Sequence, residues 1–181
     1  MSSFLEVLPA FPAGPLTVAI SECLVGGEVR HDGGHKRSSL PHDKLEGLFE
    51  FLPLCPEVGI GLGVPRDAIR LVGNIDAPRA VGTRDSGLDL TTRLTQFAIQ
   101  HAPLFDDVDG HIFTKNSPSC GLFRVKVYGK KDMPPDPRGR GIYAAEIARL
   151  RPDLPLEESG RLLDPVLREN FVTRTFVHAH W

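Results

Sequence analysis

The chain has 181 residues and a formal net charge of −2, from 21 Lys and Arg against 23 Asp and Glu. A balance without a positive excess excludes a general nucleic-acid binder or a membrane-surface protein, both of which need net basic charge. That length suits one domain able to bury a normal core without disulfide staples, and 18 glycines with 16 prolines predict many ordered turns rather than disorder.

The first fifteen residues, MSSFLEVLPAFPAGP, carry no basic segment ahead of a continuous apolar core and no small-residue cleavage pattern, so no secretory signal is expected. The apolar run LTVAI is far too short to cross a bilayer. A cytoplasmic protein is expected, with no membrane and no nucleic-acid polymer as partner. In a reducing compartment the three cysteines, Cys23, Cys55 and Cys120, do not read as a disulfide framework.

In chain order, LTVAIS (16–21) is β-branched and apolar and predicts a buried strand running into Cys23. The stretch LVGGEVRHDGGHKRSS, with two Gly-Gly pairs, predicts a loop. LPHDKLEGLFE (40–50) predicts a short helix with Leu45, Leu48 and Phe49 on one face. FLPLC (51–55) predicts a second strand, again ending on a cysteine, followed by a Gly-rich loop and a strand at IRLVG. SGLDLTTRLTQFAIQHAP is the clearest helix: Leu90, Leu94, Phe97 and Ala98 share a face, and Pro103 stops it. HIFTKN (111–116) predicts a third strand leading into the Cys120 loop, and GIYAAEIARLRP (141–152) and DPVLRENFVTRTFVHAHW predict two further helices.

This alternation favours an α/β fold: a mainly parallel sheet flanked by helices, a Rossmann-like layered domain. Ligands of such sheets bind beyond the carboxyl ends of the strands. All three cysteines fall beside or just past predicted strand ends, so the fold is expected to gather them at one edge. Three independent buried thiols are the plain alternative. Together, three thiolates suit zinc or an iron–sulfur cluster. No CxxC motif and no Cys/His pair at finger spacing chooses between them. Three ligands fall one short of a closed four-cysteine shell, and an open position is a catalytic arrangement.

ISECLVGGEVRHDGGHKR, LPLCPEVGIGLGVPR and KNSPSCG, in that order, resemble the three signature segments of the thiouracil desulfurase family, formerly a domain of unknown function. The likeness spans roughly residues 17 to 150. The tail LPLEESGRLLDPVLRENFVTRTFVHAHW resembles the junction in longer members, where a second helical domain follows. Residues 1–152 are therefore expected to form the iron–sulfur desulfurase domain, and 153–181 a C-terminal helical tail or the start of a second, partner domain. The resemblance implies a [4Fe-4S] cluster held by Cys23, Cys55 and Cys120, with one open iron for the substrate's sulfur. It implies replacement of the thiocarbonyl sulfur of a thiolated pyrimidine by oxygen, with release of hydrogen sulfide.

Such chemistry needs a base for water and a donor for the departing sulfur. Glu57, two residues after Cys55, is the candidate base; a loop carboxylate without a chemical role is the alternative. Ser117 and Ser119 flank Pro118 beside Cys120; Ser117 is preferred because its place resembles the family's active serine. Asp32 and His35 lie on the glycine loop after Cys23, with His35 a candidate proton carrier. Lys36, Arg37, Arg66 and Arg70 are candidates for an anionic group on the substrate, and Gly59 and Gly61 for close backbone approach. Solvated surface arginines are the alternative to a site for 4-thiouridine monophosphate. The rival functions are a three-cysteine zinc hydrolase or deaminase, a Cys–His thiol hydrolase, and a non-enzymatic iron–sulfur sensor or docking module. The oligomeric state is not set by the sequence.

Overall fold

The computed structural model describes residues 14–129 and 133–180. Its elements are β1 (Leu16–Ser21), α1 (Leu40–Lys44), β2 (Phe49–Leu54), α2 (Pro56–Gly59), β3 (Ile69–Asn74), β4 (Ala77–Gly82), α3 (Thr91–His101), β5 (Gly110–Phe113), β6 (Val125–Tyr128), β7 (Asp136–Gly139), α4 (Ile142–Leu150), β8 (Leu156–Glu158) and α5 (Pro165–His178). Two four-stranded sheets form, ordered β2-β1-β5-β8 and β4-β3-β6-β7. The first is parallel throughout; the second pairs β3 with β6 in parallel and carries an antiparallel strand on each side. The expected α/β architecture with a parallel sheet is present, and the mixed sheet is added to it.

Side-chain alternation along the central strands divides the core into two layers. Ala19 and Phe113 point to one face, where they meet Phe97 and Ala98 of α3 and Tyr143, Ala144 and Ile147 of α4. Val18, Ile20 and Ile112 point to the other, against Leu40, Leu45, Phe49 and Phe171 of α5. A third cluster joins Leu90 and Leu94 at the start of α3 to Leu71, Val125 and Val127 of the mixed sheet. The apolar stripe expected on α3 therefore serves both sheets: Leu90 and Leu94 turn to one, Phe97 and Ala98 to the other.

The elements differ from expectation in places. The helix expected over 40–50 ends at Lys44, because Gly47 adopts φ 79° and turns the chain into β2. Phe49 consequently packs from a strand, and Leu48 stays 37% exposed. Strands β4, β6, β7 and β8 were not expected. Pro53, Pro78 and Pro137 all lie in β2, β4 and β7, which are edge strands, where a missing N–H removes no ladder bond. Among the described residues no helix is long and apolar enough to cross a membrane.

Candidate active site

Parallel register brings the cysteines together. Ser21 lies opposite Leu54, and Ile20 opposite Ile112, so β1, β2 and β5 end at one edge. Cys23 sits in a 3-10 turn two residues beyond β1, and Cys55 caps α2 one residue beyond β2. Thr114 follows β5 directly, its N–H donating to Ser21 Oγ at 3.0 Å, and the chain then turns through Ser117–Ser119 to Cys120. β1 is also where the strand order changes direction, towards β2 on one side and β5 on the other, the usual place for a ligand crevice. A cavity of about 270 Å³ opens there, lined by all three cysteines with Lys36, Glu57, Arg66, Ser117 and Ser119.

A continuous polar chain forms one wall. Arg66 donates to Glu57 Oε2 through Nε at 3.0 Å and Nη2 at 2.7 Å. Ser119 Oγ donates to Glu57 Oε1 at 2.6 Å and lies 2.9 Å from Ser117 Oγ. Ser117 Oγ accepts from the N–H groups of Cys120 at 3.0 Å and Ser119 at 3.3 Å, which fixes the cysteine turn. Ser119 Oγ also lies 3.7 Å from the Cys120 sulfur. Of the candidate bases and hydroxyls, then, Ser119 bridges carboxylate and thiol, whereas Ser117 shapes the turn and completes the chain.

The candidate cations separate. Lys36 lines the cavity, its Nζ donating to the Lys115 carbonyl at 3.1 Å, and burial followed by the Arg30 charge lowers its pKa. Arg66 is committed to Glu57 and to the carbonyls of Val29 at 2.8 Å and Gly63 at 3.2 Å. Arg37 is exposed, and Arg70 stands 5.7 Å over the Tyr128 ring in a neighbouring groove. Asp32 pairs with Arg30 and accepts from Gly34 N–H, and His35 Nδ1 accepts from Arg37 N–H, so both order their own loop outside the cavity. Gly59 lies against the Phe97 ring with no space for a side chain, and Gly61 takes φ 81° as the chain leaves α2; neither lines the cavity. Arg30, His31, Thr114 and Asn116 line it without having been singled out. Asn116 takes φ 57°, uncommon outside glycine; Thr114 gave no sequence signal, because the strand expected over 111–116 ends at Phe113 instead.

All three thiols are free and pushed up in pKa. Burial acts on Cys23, against the Thr114 hydroxyl and the Lys36 and Arg30 charges. Burial also acts on Cys55, against the Val58 N–H. For Cys120 burial is joined by the negative charges of Cys55 and Glu57, and the rise is the largest of the three. The Thr114 hydroxyl is near enough to Cys23 to favour its thiolate, yet it is buried without reaching hydrogen-bond geometry to any described atom. Three crowded thiols become thiolates only if a multivalent cation compensates them. An unpartnered hydroxyl and this donor set therefore fit a cysteine-ligated metal group. No three His, Cys, Asp or Glu side chains among the described residues converge closely enough to hold one metal ion.

The fold and this edge define an α/β protein with a three-cysteine crevice beside a carboxylate–hydroxyl chain. The profile of the 2-thiouracil desulfurase family matches residues 18–159, and the chain belongs to that family. It is 29% identical over 137 residues to the uncharacterized protein YbbK of Bacillus subtilis (strain 168), covering 71% of this chain and 87% of the relative. The solved structure of the [4Fe-4S]-dependent thiouracil desulfidase TudS superposes with a TM-score of 0.66 at 27% identity, over 86% of this chain and 98% of that one.

Proposed function

We propose that this protein is a cytoplasmic, [4Fe-4S]-dependent desulfidase acting on a thiolated pyrimidine. The observation that carries the reading is the meeting of Cys23, Cys55 and Cys120, from three separate segments, in one cavity walled by Glu57 and Ser119. Cysteines spaced around a cavity, rather than converging on a point, suit a cluster better than one zinc ion with sulfurs about 2.3 Å away. When bound, the cluster supplies a thiophilic open iron that polarises the C=S bond.

The remaining work falls to side chains. Glu57 takes a proton from water, which adds to the thiocarbonyl carbon; the C–S bond breaks and sulfur leaves as hydrogen sulfide. One C=S and one water give one C=O and one H2S, so no electron donor is needed. Ser119, bonded to Glu57, passes the proton towards the departing sulfur, and Arg66 holds the carboxylate in place. Lys36 is the cation facing the cavity that suits an anionic substrate such as thiouridine monophosphate.

The test is anaerobic reconstitution followed by iron and sulfide analysis and turnover of thiouracil. The proposal expects about four irons per chain and stoichiometric sulfide release; zinc alone, or iron without turnover, overturns it. Comparing 4-thiouracil with 4-thiouridine monophosphate in the Lys36→Gln variant decides the substrate: a loss confined to the nucleotide supports it, and an equal loss on both removes the phosphate.

A further inference from the structure

A second cavity, of about 450 Å³, shares no lining residue with the cysteine crevice, and four arginines line it: Arg124, Arg138, Arg140 and Arg161, with Phe123. In a chain of net charge −2, four guanidinium groups at one concavity are a local concentration of positive field. Two are neutralised. Arg138 meets Asp136 through a fork of bonds, the nearest at 2.6 Å, and Arg161 donates to Glu157 at 2.8 Å while standing 5.0 Å over the Phe123 ring. The other two have no carboxylate partner among the described residues. Arg140 uses Nε on the Leu122 carbonyl at 3.0 Å, which orients the side chain and leaves its terminal nitrogens for a ligand. Among the described residues Arg124 makes no side-chain hydrogen bond, and it sits at φ 55°, a left-handed conformation that costs an arginine on the order of 1 kcal/mol.

The floor is rigid. Buried Glu158 accepts the N–H groups of Leu122 at 2.8 Å and Phe123 at 3.0 Å, so this carboxylate is spent on the backbone. β6 pairs with β7 through Val125 and Gly139, which sets Arg124 and Arg140 at neighbouring ends of the two strands.

We infer that this cavity binds a small phosphate ester, its phosphate held by Arg124 and Arg140. Guanidinium forks match phosphate oxygens two at a time. The volume exceeds a bare phosphate and falls in the range of small-molecule pockets. Concavity favours a small ester over a polymer backbone. The site is separate from the cysteine crevice and does not depend on the desulfidase reading.

The test is calorimetric titration of the full-length protein with ribose 5-phosphate at fixed ionic strength. Binding in the millimolar range or tighter is expected, weakened about tenfold or more by Arg124→Gln. Arg140→Gln should do the same, but that residue also holds a carbonyl; Arg124, which holds no described atom, keeps the test sound if the Arg140 variant fails to fold. Arg79→Gln, on an exposed arginine of the other sheet edge, should bind as wild type. No measurable binding, equal weakening by Arg79→Gln, or weakening by Lys36→Gln with Arg124→Gln unaffected each overturns the inference.

Discussion

Glu57→Gln tests whether the carboxylate does chemistry or merely holds the wall. The Glu57 and Arg66 side chains are 14% and 8% exposed, so the pair is largely shielded from water. Breaking a buried pair by removing one partner costs about 3–5 kcal/mol. Here Arg66 keeps its two carbonyl partners and glutamine keeps an amide oxygen, which brings the expected cost to about 2 kcal/mol. For a chain of this size that lowers Tm by roughly 4–8 °C. Arg66→Met breaks the same pair without either compensation and should cost about 3–5 kcal/mol while leaving the carboxylate. The assay is kcat, from loss of thiocarbonyl absorbance under anaerobic conditions, with iron content measured for each variant. A general base contributes about 10²–10⁴-fold, so Glu57→Gln should lose at least about a hundredfold in kcat at full iron content, far more than Arg66→Met. Equal losses in the two variants, or a Glu57→Gln enzyme within threefold of wild type, would refute the role as base.

Cys23→Ser, Cys55→Ser and Cys120→Ser should each prevent stable cluster binding, read as iron per chain after reconstitution; full iron in any one of them removes that cysteine from the ligand set. Buried His111, stacked between Phe105 and Phe113 with Nδ1 unpartnered, has its pKa pushed down to about 3 by burial. Below pH 6.5 the unfolded chain therefore binds a proton that the folded chain refuses, and stability falls as pH falls, by at most about 3 kcal/mol at pH 4. His111→Phe should remove that share, seen as a smaller drop in urea midpoint between pH 7.5 and 4, in assay conditions of roughly that span; parallel drops would show that His111 is not responsible. Gly59→Ala should cost about 1–3 kcal/mol in thermal unfolding, because the new methyl meets Phe97; an unchanged Tm would contradict the packing.

The parallel sheet was legible because its central strands are apolar on both faces: LTVAIS is buried at five of six positions. The mixed sheet was not. APRAVG and DPRG carry prolines that read against strand, and only their edge positions, a tertiary fact, make them tolerable. Strand VKVY alternates plainly but is four residues long, short enough to pass for loop. In the site, the cysteines and Glu57 were visible through adjacency to strand ends. The partners of Arg66 were not, because Val29 and Glu57 lie 37 and 9 residues away and meet it only after folding.

The hydrogen bonds also divide the work between the two serines, and they set Ser119 rather than the preferred Ser117 between carboxylate and thiol. Ser117 accepts from two backbone N–H groups and thereby sets the direction of the Cys120 side chain. Ser119 gives its proton to Glu57 and lies against the Cys120 sulfur. Under the proposed function, losing Ser117 should therefore loosen Cys120 as a ligand, whereas losing Ser119 should leave Cys120 in place and interrupt the proposed proton path. Iron content separates the two: Ser117→Ala should lose iron and turnover together, and Ser119→Ala should keep iron while kcat falls about a hundredfold. Iron lost from the Ser119 variant, with the Ser117 variant fully loaded, would reverse the assignment.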